Sequence, residues 1–268
     1  MPEGDTIFKT AAALRPLLVG QLILAARARA PGPAIERVVG SQVLSVEPMG
    51  KHLLIRFSNG LALHTHLRMG GSWHRYRPGE PWRRPAWQAR VILEVPEHVI
   101  VCFNAPTVEL LPDRAVGLHP GLQRLGPDLL AETFSAAEAV GRLRSRPSVQ
   151  IADALLDQTA LAGIGNIYKS EVLFLEGINP WTSVADLDEA ALHRLVETAE
   201  RLLHDNVAPG HAHRTTTHRD PAGRGRVWVY GRANQPCRRC GTAIRSRRQG
   251  QLSRLTYWCP RCQPAASS

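Results

Sequence analysis

Apolar residues recur at helical spacing from Thr6 to Leu18, at Ile7, Ala11, Leu14 and Leu18, which predicts one helix close to the start of the chain. Gly20 is its stop signal, and Pro16 falls late enough to kink or shorten it. The pattern then changes to short runs of strand character: Gln21 to Ala26, Gln42 to Glu47, His52 to Phe57, Leu61 to His66, Ala89 to Val95 and Val99 to Phe103. Ser58-Asn59-Gly60 separates two of these runs and predicts a hairpin, because Asn-Gly tolerates the positive φ that a tight turn needs. Residues 1–115 therefore read as an antiparallel β-sandwich with a flanking helix.

Proline and glycine punctuate the chain from Pro112 to Pro127, and beyond them the periodicity becomes helical. Ile151 to Leu161 and Ile167 to Leu175 read as two apolar helices joined by a turn. Asp186-x-x-Glu189 reads as a capping box ahead of the stripe Leu187, Ala191, Leu195, Ala199 and Leu202. A mostly helical second domain is expected over 128–235. The segment from Pro209 to Arg226, dense in His, Arg, Thr, Gly and Pro, is expected to be a mobile loop.

Composition adds a partner. The 268 residues carry a formal charge of +10 and 44 % hydrophobic residues, enough for well-filled cores. No apolar stretch approaches the roughly 20 residues of a membrane-spanning helix. Between residues 210 and 262 arginines abound and Asp220 is the only acidic residue, whereas the helical stripe before it is rich in carboxylates. That asymmetry favours a face that binds a polyanion, although charge alone does not say which.

Cysteine spacing sharpens this. Cys237-x2-Cys240 and Cys259-x2-Cys262, with 18 residues between the pairs, read as two knuckles closing a four-sulfur structural zinc site over residues 236–264. A disulfide framework is the other use of such spacing. The chain starts Met-Pro-Glu-Gly-Asp without an apolar leader, so a reducing, cytoplasmic setting is expected, beside the nucleoid in a bacterium. Arg238, Arg239, Arg245, Arg247, Arg248 and Arg254 lie in or between the knuckles, as a cationic hairpin that zinc would hold rigid. Cys102, in an apolar run, is expected to be a buried small hydrophobe.

Two further segments carry candidate chemistry. If Met1 is removed, Pro2 becomes a secondary amine with a pKa of about 8, leaving roughly a tenth of it nucleophilic at neutral pH. Glu3 beside it supplies a carboxyl that can move protons. Taken alone, Pro-Glu is a weak signal, since most such pairs only start a helix. The turn from Leu161 to Tyr168 holds Gly163, Gly165 and Asn166, a composition suited to placing backbone amides on an anion. It is equally a common connector between packed helices.

Five segments taken in order carry a resemblance. They are Met1-Pro2-Glu3-Gly4; Gly50-Lys51-His52-Leu53; His64-Thr65-His66-Leu67-Arg68-Met69; Leu155-Leu156-Asp157-Gln158 through Gly163-Ile164-Gly165-Asn166; and Thr256-Tyr257-Trp258-Cys259-Pro260-Arg261-Cys262-Gln263. Together they resemble the formamidopyrimidine-DNA glycosylase and endonuclease VIII family over nearly the whole chain, nearest the actinobacterial endonuclease VIII branch. The resemblance implies an α+β fold: an N-terminal sandwich, a helix-two-turn-helix domain and a zinc-finger hairpin. It implies a bifunctional glycosylase and abasic-site lyase of base-excision repair, acting on damaged DNA as a monomer with one structural zinc ion. In that reading Pro2 attacks C1′ of an extruded nucleotide, Glu3 protonates the sugar ring oxygen, and Lys51 assists. Met69, with Arg68, fills the vacated space, and His66, Lys51, Asn166 and Arg254 clamp phosphates.

The chain departs from the family at two places. Thr6 stands where a glutamate is common, and Asn104 to Glu109, expected to be a loop, lacks the Arg and Phe of the oxidised-purine branch. The second departure implies oxidised pyrimidines as the main substrates. An oxidised-purine enzyme, or a DNA-binding protein without the chemistry, are the alternatives.

Overall fold

A computed structural model describes residues 2–210, 215–218, 225–251 and 253–265. The chain divides into two compact units, 1–124 and 125–268.

In the first unit, α1 (Gly4–Leu18) buries Ile7, Ala11, Leu14 and Leu18, the stripe that its spacing predicts. Pro16 sits in its last turn without shortening it, since the helix runs two residues further. Ten strands follow among the described residues, eight of them here: β1 (Ala25–Ala28), β2 (Val43–Met49), β3 (His52–Phe57), β4 (Leu61–His66), β5 (Ser72–Tyr76), β6 (Ala89–Val95), β7 (His98–Phe103) and β8 (Thr107–Pro112). They form two antiparallel four-stranded sheets, ordered β1-β6-β7-β5 and β2-β3-β4-β8. Val46, Leu53, Ile55 and Leu63 of one sheet share a core with Ala26, Val91, Leu93, Ile100 and Cys102 of the other. Cys102 is fully buried and burial pushes its thiol up, as expected of an inert residue.

Two local expectations are corrected, and one unexpected strand is added. Gln21 to Ala26 is not a strand: Leu22 makes an isolated bridge to Gln42, and β1 begins at Ala25. Ser72 to Tyr76, mixed in polarity and preceded by two glycines, is β5 and was not legible as a strand. Asn104 to Glu109 is not a loop. Asn104 turns the chain in the left-handed region (φ 51), and β8 starts at Thr107, which places Glu109 in the sheet beside His64.

The second unit follows the short helices α2 (Asp113–Val116) and α3 (Pro120–Gln123) of the first. It contains α4 (Ala136–Arg144), α5 (Ile151–Leu156), α6 (Asn166–Leu175) and α7 (Glu189–Val207), then the hairpin β9 (Arg245–Gln249) and β10 (Arg254–Trp258). Helix α5 is shorter than its apolar run: after Leu156 the chain enters a turn. There Gln158 donates to the carbonyls of Leu156 and Ile164 and accepts from Gly163 N. Helix α7 buries Ala191, Leu195, Ala199 and Leu202, but its cap is Asp188, which accepts from Ala191 N at 2.6 Å, not Asp186, which lies in a preceding 3-10 turn. Asp188 wins because its oxygen faces an amide that the helix leaves unpaired. The expected loop from Pro209 to Arg226 lies partly outside the described residues, including His211, His213 and Arg214. None of the described helices is long and apolar enough to cross a membrane.

Candidate functional site

Pro2 is half-buried, and the three residues after it, Glu3, Gly4 and Asp5, are buried. Glu3 is the extended residue at the amino end of α1, and its carbonyl accepts from Thr6 N and Ile7 N. Its carboxyl is fully buried at the end of a helix where negative charge is favoured. Asp5 pairs with Lys9 one turn on, at 3.4 Å, and accepts from the Thr6 hydroxyl. So the one reactive candidate at the start of the chain keeps access to solvent while the carboxyl beside it does not.

Lys51 occupies the turn between β2 and β3, where Gly50 adopts φ 56 and Met49 opposes His52. In the register of the sheet His52 faces His66, and His64 faces Glu109. These four side chains share one face, since directly opposed residues point the same way and alternate residues along a strand do too. His66 Nδ1 accepts from Arg68 N at 3.2 Å, which places the proton of the neutral ring on Nε2. Burial, with the Arg68 and Lys51 charges, holds His66 down at about 4. His66 is thus a neutral N–H donor near neutral pH, suited to a phosphate oxygen.

The chain after β4 turns sharply. Arg68 adopts φ 44, Gly71 N donates to the Leu67 carbonyl, and a Cβ at Gly71 would lie 2.6 Å from that oxygen. Only glycine fits there. The turn lifts Met69 to 69 % exposure, so Met69 is not a core residue. An exposed, flexible apolar side chain at a constrained tip is the form expected of a wedge.

In the second unit Asn166 opens α6 and is nearly buried. Its Nδ2 donates to the Leu255 carbonyl of β10 at 2.7 Å, and its buried Oδ1 has no hydrogen-bond partner among the described residues. Lys169 one turn later donates to Thr256 Oγ1, which donates to Gln249 Oε1, and Gln249 Nε2 donates to Gln150 and to the Pro180 carbonyl. The hairpin is therefore held to α5 and α6 by polar contacts as well as by its own metal site. Arg254 begins β10 and is half-buried, while Arg245, Arg247 and Arg248 of β9 are exposed. Arg247 lies 4.2 Å over the Trp181 ring and Arg239 4.7 Å over Phe174, which fixes both planes.

Cys237, Cys240, Cys259 and Cys262 bring four sulfur atoms within 4.8 Å of one another. The pairs Cys240–Cys259 and Cys237–Cys262 are 3.4 and 4.0 Å apart, bracketing the edge of about 3.8 Å that a tetrahedron of Zn–S bonds of about 2.3 Å requires. The donor set fits one closed zinc site and leaves no position for a reacting water.

Sequence reasoning missed two groups. Glu171, fully buried, accepts from Thr217 Oγ1 and from the backbone amides of Trp228, Val229 and Tyr230, fastening the 217–230 segment to α6. His52, His64, Glu109 and His119 form a hydrogen-bonded cluster around the buried face of β4. Cross-strand register brings the first three together, and His119 reaches Glu109 from the amino end of α3.

Comparison with known proteins agrees along the chain. Residues 1–107 match the formamidopyrimidine-DNA glycosylase N-terminal domain, 125–218 the formamidopyrimidine-DNA glycosylase H2TH domain, and 234–265 a zinc finger found in that glycosylase and in isoleucyl-tRNA synthetase. A probable endonuclease 8 2 of Streptomyces coelicolor is 43 % identical, over 98 % of this chain and 94 % of its own. The DNA-(apurinic or apyrimidinic site) lyase Nei2 of Mycolicibacterium smegmatis is 40 % identical, over 99 % and 100 %. The crystal structure of Lactococcus lactis formamidopyrimidine-DNA glycosylase bound to abasic-site DNA superposes with a TM-score of 0.81, at 24 % identity, covering 98 % of this chain and all of that one.

Proposed function

Because this chain belongs to the formamidopyrimidine-DNA glycosylase and endonuclease VIII family of base-excision repair enzymes, we propose that it excises oxidised bases, mainly pyrimidines, and cuts the strand through imine chemistry at Pro2. The observation that carries this reading is the start of α1: a solvent-accessible Pro2 joined directly to a fully buried Glu3 carboxyl.

The chemistry follows from those two groups. With Met1 removed, the Pro2 nitrogen attacks C1′ of the nucleotide, the bond to the base breaks, and Glu3 protonates the ring oxygen so that the sugar opens to an iminium. A secondary amine gives a permanently charged iminium, which acidifies the neighbouring C2′. Loss of that proton expels the 3′ phosphate, and a second elimination expels the 5′ phosphate. The zinc ion, held by Cys237, Cys240, Cys259 and Cys262, stabilises the finger and takes no part in these steps.

Binding is assigned to the remaining groups. In the first unit His66 and Lys51 are assigned to phosphates, and Met69 with Arg68 to the space left by the extruded nucleotide, an extrusion that costs a few kcal/mol and less for damaged bases; in the second unit Asn166 and Arg254 are assigned to phosphates. The preference for oxidised pyrimidines is supported by the tight Asn104 turn, which offers neither an arginine nor a phenylalanine. The net positive charge and the exposed arginines of β9 suit DNA.

Borohydride trapping on duplexes carrying an abasic site, an oxidised pyrimidine or an oxidised purine tests the reading. A covalent adduct is expected, most on the pyrimidine lesion and lost when Met1 is retained. Glu3→Gln should stop base removal while sparing cleavage at a ready-made abasic site. No adduct on any lesion, from protein with a verified Pro2 terminus, would sink the proposal.

A further inference from the structure

The face of β4 behind His66 holds more titratable groups than contact with a phosphate requires. His52 Nδ1 lies 2.8 Å from His64 Nε2, His64 Nδ1 lies 2.8 Å from Glu109 Oε2, and His119 Nε2 lies 3.1 Å from the same oxygen. Donor count gives this chain a direction. A carboxylate oxygen accepts, so His64 Nδ1–H and His119 Nε2–H both donate to Glu109. His119 agrees from its other side, where Nδ1 accepts the Gly121 N–H at 3.2 Å. Neutral His64 then accepts at Nε2 from His52 Nδ1–H, which leaves the His52 lone pair on Nε2.

The two ends of the chain differ. The His52 ring meets His66 edge-on at 4.6 Å, and Lys51 and Arg68 are the cations whose charges act on these rings. His64 in the middle is 1 % exposed, whereas the Glu109 side chain is 41 % exposed. Burial, then the neighbouring His66, His64, His119 and Lys51, holds His52 at about 3, so the resting chain carries no extra proton.

We propose that His52, His64 and Glu109 form a proton outlet for the elimination steps, running from the Lys51 side of the sheet to solvent. This rests on the lyase reading given above. As the bond from carbon to phosphate oxygen breaks, one proton comes off the adjacent sugar carbon. His52 Nε2 takes up that proton, His52 Nδ1–H passes to His64 Nε2, His64 Nδ1–H passes to Glu109, and Glu109 releases one proton to water. One proton enters, one leaves, and no ring holds two protons for longer than the transfer; the passage inverts both tautomers, and they are restored when His52 Nε2–H passes to the departing phosphate oxygen while one proton returns from water through Glu109 and His64 to His52 Nδ1. Glu109 and His64 are positioning residues that set the tautomer of His52, and His119 holds the Glu109 oxygen in place.

The same atoms invite a metal, since His64, Glu109 and His119 offer ligand atoms within 4.8 Å of one another. A neutral imidazole has one lone pair, however, and that of His119 is engaged by Gly121. Protons satisfy the cluster as it stands, whereas a metal would require that bond to break.

The test is single-turnover cleavage of abasic-site DNA from about pH 6 to about pH 8.5, with trapping measured in parallel, for the wild type, Glu109→Gln, Glu109→Asp and His64→Phe. The outlet predicts that Glu109→Gln and His64→Phe slow elimination at least about tenfold and change its pH profile, while imine trapping and DNA affinity stay within about twofold. Glu109→Asp should recover part of the rate. In the wild type, elimination should slow in heavy water, with an inventory that needs more than one transferred proton. This readout does not depend on any variant folding. Unchanged elimination in the variants, a parallel loss of trapping and elimination, or no solvent isotope effect would overturn the outlet. So would a second zinc ion per chain that Glu109→Gln removes. A wild type that forms no imine at all defeats the lyase reading itself and takes the outlet with it.

Discussion

Asn166 Nδ2 donates to the Leu255 carbonyl at 2.7 Å, so the residue that opens α6 also holds the start of β10. The side chain proposed as a phosphate ligand is thus also a structural tie. Asn166→Ala should lower the free energy of unfolding by about 1 kcal/mol through the lost bond, together with DNA affinity. Asn166→Asp should cost more, because it sets a carboxylate against a carbonyl. Denaturant titration beside fluorescence anisotropy on DNA checks both; unchanged stability in Asn166→Ala would leave only the ligand role.

The finger has two anchors, its metal and its docking contacts through Gln249 and Thr256. Elemental analysis should find one zinc ion per chain. Chelation or Cys240→Ser should weaken DNA binding at least about tenfold, since the metal-free knuckles no longer hold the arginine hairpin. Helical circular dichroism should change little, because α4 to α7 have their own core. A zinc-free protein that binds DNA normally would remove the finger from the interface.

Acid should destabilise this protein in a defined window. His52 is held at about 3 and His66 at about 4, against 6.5 for the unperturbed ring, so the unfolded chain takes up protons that the folded one refuses. Stability from these groups is complete above about pH 6.5 and is lost as pH falls, down to about 4 for His66 and about 3 for His52, at up to about 1.4 kcal/mol per pH unit for His52. The total from His66 is smaller, because its window is shorter and solvent screens it. Urea midpoints measured between these limits should fall steadily, and His52→Phe should flatten the curve.

Glu171 accepts from three consecutive backbone amides, Trp228, Val229 and Tyr230, and from Thr217. Burial pushes its carboxyl up, and these four bonds oppose that. Glu171→Ala should cost about 3 kcal/mol or more, as it strands buried amides. Hydrogen exchange should show the amides of 228–230 losing protection first; retained protection there would mean that other contacts carry the segment.

Met69 is exposed at the tip of a turn that Gly71 makes possible. Met69→Ala should slow excision from duplex DNA about tenfold while leaving cleavage of a single-stranded abasic site nearly unchanged, since only the duplex leaves a gap to fill. Equal effects on both substrates would argue that Met69 shapes the turn instead.

Much of this was legible along the chain because it depends on neighbours in sequence. The stripe of α1, the hairpin at Asn59-Gly60 and the paired knuckles each follow from local periodicity, backbone freedom or ligand spacing. The resemblance added roles for Pro2, Glu3 and Lys51 that no periodicity carries. Strand β5 escaped because its side chains alternate weakly, and β8 because a proline and a positive-φ asparagine before it read as loop.

The sequence by itself determined the sandwich, the helical domain and the zinc knuckles, since each is written in spacing that a local rule decodes, and it offered Pro2 as a candidate nucleophile. Tertiary structure alone decided that His52, His64 and Glu109 share one face, that Glu171 gathers a distant segment, and that Asn166 spends an amide on Leu255. These contacts join residues from 12 to 89 positions apart. Strand register and the docking of the hairpin on α6 create them, because a hydrogen bond depends on distance in space and leaves no periodic trace in the chain.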